Sequence, residues 1–242
     1  ANLELANIVK SPFARAPHAG AVLTQAGFIE CGLEGVDFSG AQWSQTVIYM
    51  ADLRSVRFGQ PSGERCVFTQ CEMAGLSFAG ARWLTTQFME AGLEGADFSG
   101  AELTGSNFKG AKLKGARFAG AKAQRTLWVQ AQLDEARFDG ADLRHSVWNQ
   151  AAGQGASLRQ VVLVESVLQQ ARLHGCDFTD ADLSYVLTEA GRVRAEGGVE
   201  LQELRRESVV GPAGHMVIAS PSHAAAAGMM AGASPQGIAA PS

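Results

Sequence analysis

Large apolar residues recur along this chain at every fifth position. From Gly92 to Gly120 a small residue, a polar one, a large apolar one and two free positions repeat without a break. Centres at residues 3, 8, 13 and onward to 183 define 37 pentads, and 33 of the centres are Leu, Phe, Trp, Ile or Met. The exceptions are His18, Gly63, Ala123 and Gly153. Two positions before each centre the residue is small or β-branched, with Leu76 the only large occupant. A period of five fits neither the helical repeat of 3.6 nor the simple strand repeat of two. It predicts a chain that turns a corner every five residues and points one small and one large side chain inward on each side.

Ala51-Asp52-Leu53, Ala96-Asp97-Phe98, Ala141-Asp142-Leu143 and Ala181-Asp182-Leu183 carry the motif Ala-(Asp/Asn)-Leu-x-x. In this the chain resembles the pentapeptide-repeat family over roughly residues 1 to 186. The resemblance implies an all-β fold, a right-handed quadrilateral parallel β-helix with four pentads, or 20 residues, per coil.

Sorting the centres at intervals of 20 tests that coil length. One column then holds Phe38, Phe58, Phe78, Phe98, Phe118 and Phe138, and the opposite one Phe68, Phe88, Phe108, Trp128 and Trp148. The two columns between are mainly Leu, so these aromatic residues are the expected core. Gly63 falls between Trp43 and Trp83, Ala123 precedes Trp128 and Gly153 follows Trp148. Vacancy and Trp are expected to compensate in volume, as a close-packed interior requires. Gly recurs in the last place of many pentads, which suits a tight or left-handed corner, and the run Gly59-Gln60-Pro61-Ser62-Gly63 predicts one distorted corner.

Three segments follow from the pattern: a repeat domain over 1–186, a linker with a short helix over 187–210, and an uncharged tail over 211–242. The helix is read over 199–207, with Leu201 and Leu204 on one side, capping the open end of the core or pairing two chains end to end. The tail contains no Lys, Arg, Asp or Glu and centres on Met216, Val217 and Ile218. It reads as a flexible segment, silent or a docking element for a partner. Residues 1 to 30 are a weaker version of the repeat, with an inward His18. Ala1 already sits in a repeat, which points to a trimmed product or a fragment of something longer.

Net charge is −4, and 16 Lys and Arg face 19 Asp and Glu over 1–186. Neither a nucleic-acid footprint nor a uniformly acidic rod follows. Lys109, Lys112, Lys114, Arg117, Lys122 and Arg125 form a basic run, but the coil length stacks it against acids. Glu94 lies under Lys114 and Asp134; Arg82, Glu102, Lys122 and Asp142 form one alternating column; Asp97 lies under Arg117. These ladders are the candidate contact surfaces. No run of 18 apolar residues and no signal peptide occurs, so the expected compartment is cytoplasmic.

Candidate chemistry is sparse. Gly105 to Lys112 departs from a phosphate loop because Ala111 separates Gly110 from Lys112. His145, His174, His215 and His223 lack metal spacing. Cys31, Cys66, Cys71 and Cys176 all take the small inward position; Cys31 and Cys71 lie two coils apart, roughly 9.6 Å, too far for a disulfide. They read as buried free thiols in a reducing compartment. No catalytic, cofactor or metal site is expected. The sequence reads as a bacterial, non-enzymatic scaffold or adaptor with a protein partner, monomeric or an end-to-end homodimer. Two rivals come from the resemblance: a DNA-mimicking inhibitor or protector of type II topoisomerase, and the repeat portion of a type VI secretion adaptor or effector.

Overall fold

A computed structural model describes residues 1–13, 18–188, 191–195, 209–210 and 216–218, the last three segments by their backbone alone. The repeat folds as stacked coils in which the second residue of most pentads pairs in parallel with the one 20 positions on. Asp97 meets Arg117, and Arg117 meets Arg137. One pentad shows the wiring. Asp97 N–H donates to Leu76 O at 2.9 Å in the coil before, and Phe98 N–H to Arg117 O at 2.7 Å in the coil after. Ala101 N–H then closes the corner onto Phe98 O at 3.0 Å. Every coil is thus bonded to both neighbours, and the backbone satisfies itself without helices.

Corners recur because the fifth residue of the pentad adopts positive φ. Gly100 has φ 65° and Gly120 φ 63°, as the sequence led us to expect, yet Gln130 (59°), Tyr185 (58°) and even Thr85 (48°) take the same conformation without being Gly. The cost is about 1–2 kcal/mol per residue for an L side chain, and the surrounding ladders impose it. At the turn cluster the positive φ moves from position 60 to Gly59, at 66°. The predicted distortion is therefore a one-residue shift of the corner.

Phe and Trp columns fill the interior. Phe98 and Phe118 stack at 5.0 Å and 3°, Phe118 and Phe138 at 4.9 Å and 5°, and Phe108 lies on Trp128 at 4.5 Å and 4°. The two columns meet edge to face across the core, as Phe118 and Trp128 do at 5.1 Å and 89°. Both arrangements suit the ring quadrupole. Gly63 pairs with Trp43 and Trp83, and a Cβ there would lie 2.5 Å from Trp83 Cζ3 and 2.7 Å from Trp43 Cβ. Glycine is the only residue that leaves room for both indoles.

Small inward positions carry more than volume. Thr46, Thr86, Ser106, Thr126, Ser146 and Ser166 are buried in one column, which Cys66 completes. Ser106 Oγ donates to Trp83 O at 2.7 Å and accepts Thr86 N–H at 3.1 Å. Ser166 does the same for Leu143 O and Ser146 N–H. These hydroxyls bridge a corner of the preceding coil. Cys31 Sγ reaches Ile8 O at 3.2 Å and Cys71 Sγ reaches Ile48 O at 3.4 Å in the same relation, 23 residues back. The thiols are buried as expected, but they also serve the backbone.

At the C-terminal end the sheet of one face continues. Val167 pairs with Leu187 in the strand Val186–Thr188, which pairs antiparallel with the strand Gly191–Ala195. A further strand, Met216–Ile218, runs parallel to Gly191–Ala195, and Val209–Val210 pairs antiparallel with Met216–Ile218. The three positions Met216, Val217 and Ile218, read as the centre of a docking tail, therefore sit on a strand in the extension of the coil. The helix read over 199–207, with Leu201 and Leu204, lies outside the described residues, as does most of 211–242.

Candidate interaction surfaces

With the interior filled by side chains, everything a partner could meet stands on the outside in columns. The second residue of each pentad points outward from the middle of a face, and its neighbours 20 positions away lie directly above and below. Four faces result, and they differ in charge.

On one face the outward column runs Arg82, Glu102, Lys122, Asp142. Glu102 takes Arg82 Nε at 3.5 Å and Lys122 Nζ at 3.0 Å. The Lys122 hydrogen bond and charge, with Arg82 behind them, hold the Glu102 carboxyl below its usual range. Asp142 turns instead to Gln124 Nε2 at 2.7 Å and Arg144 at 3.3 Å. Asp97 and Arg117 pair at 3.0 Å. Burial would raise the Asp97 carboxyl, but hydrogen bonds from Ser99 and Arg117 outweigh it and leave it lowered. Lys114 lies over Glu94 in the stack, but its ammonium pairs with Glu135 at 3.6 Å, while Asp134 accepts Gln154 N–H at 2.9 Å. Corner side chains have sideways partners that a column sorted by 20 omits.

A shallow groove of about 440 Å³ crosses the last of these coils, lined by Glu135, Arg137, Asp139, Ser157, Arg159 and Asp177 among others. Its signs are mixed, with Arg159 on Asp177 at 3.3 Å and Ser157 hydrogen-bonded to Asp139. The Thr179 hydroxyl holds Asp177 below the ordinary carboxylate range. Among the described residues no group of three His, Cys, Asp or Glu is placed to hold a metal ion, and no helix is long and apolar enough to cross a membrane.

The third kind of face went unread in the sequence. Its outward column is Asn7, Gly27, Val47, Val67, Gln87, Asn107, Leu127, Val147, Val167 and Leu187, paired rung by rung. None is charged. The large hydrophobic residues exposed among the described residues are Leu5, Val9, Met50, Leu127 and Tyr185, between 37% and 69% accessible. All five lie on this face or on the corners that border it. Its signal in the sequence is the 20-residue spacing of uncharged outward positions, the same interval that stacks the centres.

The family model for pentapeptide repeats matches eight copies in this chain, over residues 86–118, 111–147 and 154–184. No curated protein sequence matches the chain significantly. Among solved structures, HetL, a pentapeptide-repeat protein involved in heterocyst differentiation regulation from the cyanobacterium Nostoc sp. strain PCC 7120, is 19% identical. That match covers 78% of this chain and 90% of HetL, with a TM-score of 0.46. QnrB1, a plasmid-mediated fluoroquinolone resistance protein, is 18% identical in a trypsin-treated variant form, covering 76% of this chain and 91% of that one, with a TM-score of 0.43. Rfr23 of the cyanobacterium Cyanothece 51142 is 20% identical over 43% of this chain and 85% of its own, with a TM-score of 0.31.

Proposed function

We propose, for a chain whose repeats belong to the pentapeptide-repeat family over residues 86–147 and 154–184, a non-enzymatic role as a rigid scaffold that holds a protein partner against its charged faces. The observation that carries this reading is the fixed column Arg82, Glu102, Lys122, in which two cations clasp one carboxylate at 3.5 and 3.0 Å. Backbone ladders hold such a row at the strand spacing of about 4.8 Å, so a partner meets charges already in place and spends little on ordering them. Aromatic and aliphatic side chains fill the inward positions of the described coils, and the groove beside Arg137 and Arg159 is shallow and open, unlike the concave, mostly apolar pocket that a small substrate needs.

A topoisomerase inhibitor that copies duplex DNA would need a run of one sign, whereas the column here alternates. The secretion-adaptor reading has no counterpart in the geometry. Affinity capture from host lysate with the full chain, beside an Arg82→Glu/Lys122→Glu variant, tests the scaffold. A partner held by the natural chain and lost by the variant supports it. Equal capture by both, or capture of gyrase together with inhibition of its supercoiling activity, would overturn it.

A further inference from the structure

We propose that the uncharged face is the site of a second copy of this chain, packed face to face with the two rods antiparallel. A parallel sheet is ordinarily covered on both sides, because its outward residues are otherwise apolar side chains in water. Here one side of the sheet packs on the core, and the other presents Val47, Val67, Leu127, Val147 and Val167.

Charge and symmetry select the occupant. The ten outward positions carry no charge, so a second copy meets no like charge along the middle of the face. The amide pair Gln87 and Asn107, joined at 2.9 Å, occupies the two central rungs of the ten. A two-fold axis crossing the rods between them sets Gln87 against the Asn107 of the other copy, Val67 against Leu127 and Val47 against Val147. Amides meet amides and apolar residues meet apolar residues. The same operation brings together exposed Leu5 and exposed Tyr185, and Glu90 and Lys109, which border the face. Arg65, which meets Arg125, already has Glu64 at 2.7 Å. With rods parallel, Glu90 would instead face Thr85 and Lys109 would face Gly105, so the antiparallel arrangement makes better use of the border.

The area agrees. Nine rung intervals of about 4.8 Å by five residues of roughly 3.3 Å give on the order of 700 Å² per copy, close to the roughly 800 Å² that each partner buries in a standard interface.

The test uses the purified full chain, so its outcome is independent of whether a foreign partner binds the charged faces. Light scattering or sedimentation is expected to give twice the 25.4 kDa chain mass. Val147→Glu, an outward substitution that leaves the core intact, is expected to give the single-chain mass with an unchanged circular-dichroism spectrum. Glu90→Lys and Lys109→Glu should each weaken the dimer several-fold, and the two together should restore it. A chain that is monomeric at high concentration overturns the proposal, whatever then covers the face. So does a dimer indifferent to Val147→Glu, which would place the contact elsewhere, for example end to end. A dimer lost in Val147→Glu, but for which Glu90→Lys with Lys109→Glu does not recover what the single changes lose, overturns the antiparallel register.

Discussion

The Ser106 hydroxyl donates to the Trp83 carbonyl oxygen at 2.7 Å, reaching from one coil into the corner of the coil before it. The hydroxyl oxygen in turn accepts Thr86 N–H at 3.1 Å, so one side chain joins the two backbone groups that a closed corner would bond directly. Ser106→Ala removes both partnerships inside a dry core. Leaving a buried donor and acceptor unmet costs about 1–3 kcal/mol, and the thermal midpoint should fall by several degrees. Ser106→Cys, which keeps a weak donor and acceptor, should lose less. Equal stability of the Ala variant would show that the bridge is dispensable.

That bridge also marks how far the sequence could be read. Phase and coil length were legible because 20-residue sorting put Phe98 over Phe118 and Trp43 beside Gly63, and volume alone decides those positions. The hydroxyl column was not legible, since Ser106 and Thr126 look like any other small inward residue until the open corner is seen. Ion-pair partners were half legible. Glu102 finds Lys122 because both stand in mid-face, whereas Lys114 at a corner swings to Glu135. The uncharged face is present in the sequence at Val47, Val67, Leu127 and Val147, but these residues stand 20 or more positions apart and no charge alternation marks their column.

Gly63 offers a test of packing between two indoles. Gly63→Ala places a methyl 2.5 Å from Trp83 Cζ3, and overpacking of this kind costs typically about 1–3 kcal/mol. Replacing the obstructing ring should relieve it: Gly63→Ala with Trp83→Phe is expected to be more stable than the sum of the two single changes predicts. A double-mutant cycle in urea measures the coupling, and strict additivity would mean that the indole moves aside without cost.

Corner strain can be separated from crowding at Gly100, where φ is 65° and an added Cβ would meet nothing within 4 Å. Gly100→Val should therefore lose stability through the backbone alone, by at least about 1 kcal/mol, since β-branched residues tolerate this conformation worst. Thr85, with φ 48°, is the natural counterpart. Thr85→Asn should raise the thermal midpoint, because Asn accepts positive φ more readily. A lower midpoint would mean that the Thr85 hydroxyl, on Leu84 O at 2.8 Å, outweighs the strain.

Acid should loosen the rod. Asp37, Asp52, Asp97, Glu102 and Asp177 are all lowered in the fold. A carboxyl lowered on folding contributes stability that is fully present above its unfolded value, near about 4, and is lost as pH falls through the folded value. The urea midpoint is expected to be level from about pH 7 to about 5 and to decline below about 4. A midpoint unchanged at about pH 3 would show that these surface partnerships contribute nothing measurable.

The thiols should act at the other end of the pH scale. Burial pushes Cys66 up to about 11 and Cys71 up to about 12. An unfolded thiol ionises near about 8.5. A group raised on folding contributes stability that is fully present below its unfolded value and is lost as pH rises towards its folded one. Between about pH 8.5 and 11 the unfolded chain sheds these protons and the folded chain keeps them, so the urea midpoint should fall across that window. The thiolate is also the reactive form, and at about pH 8 almost none exists on Cys66 or Cys71. A disulfide reagent at that pH should therefore leave both unmodified in the native chain and modify all four cysteines once guanidinium unfolds it. Labelling of Cys71 in the native chain, located by peptide mapping, would show that the coils open locally at Ile48, whose carbonyl this thiol holds.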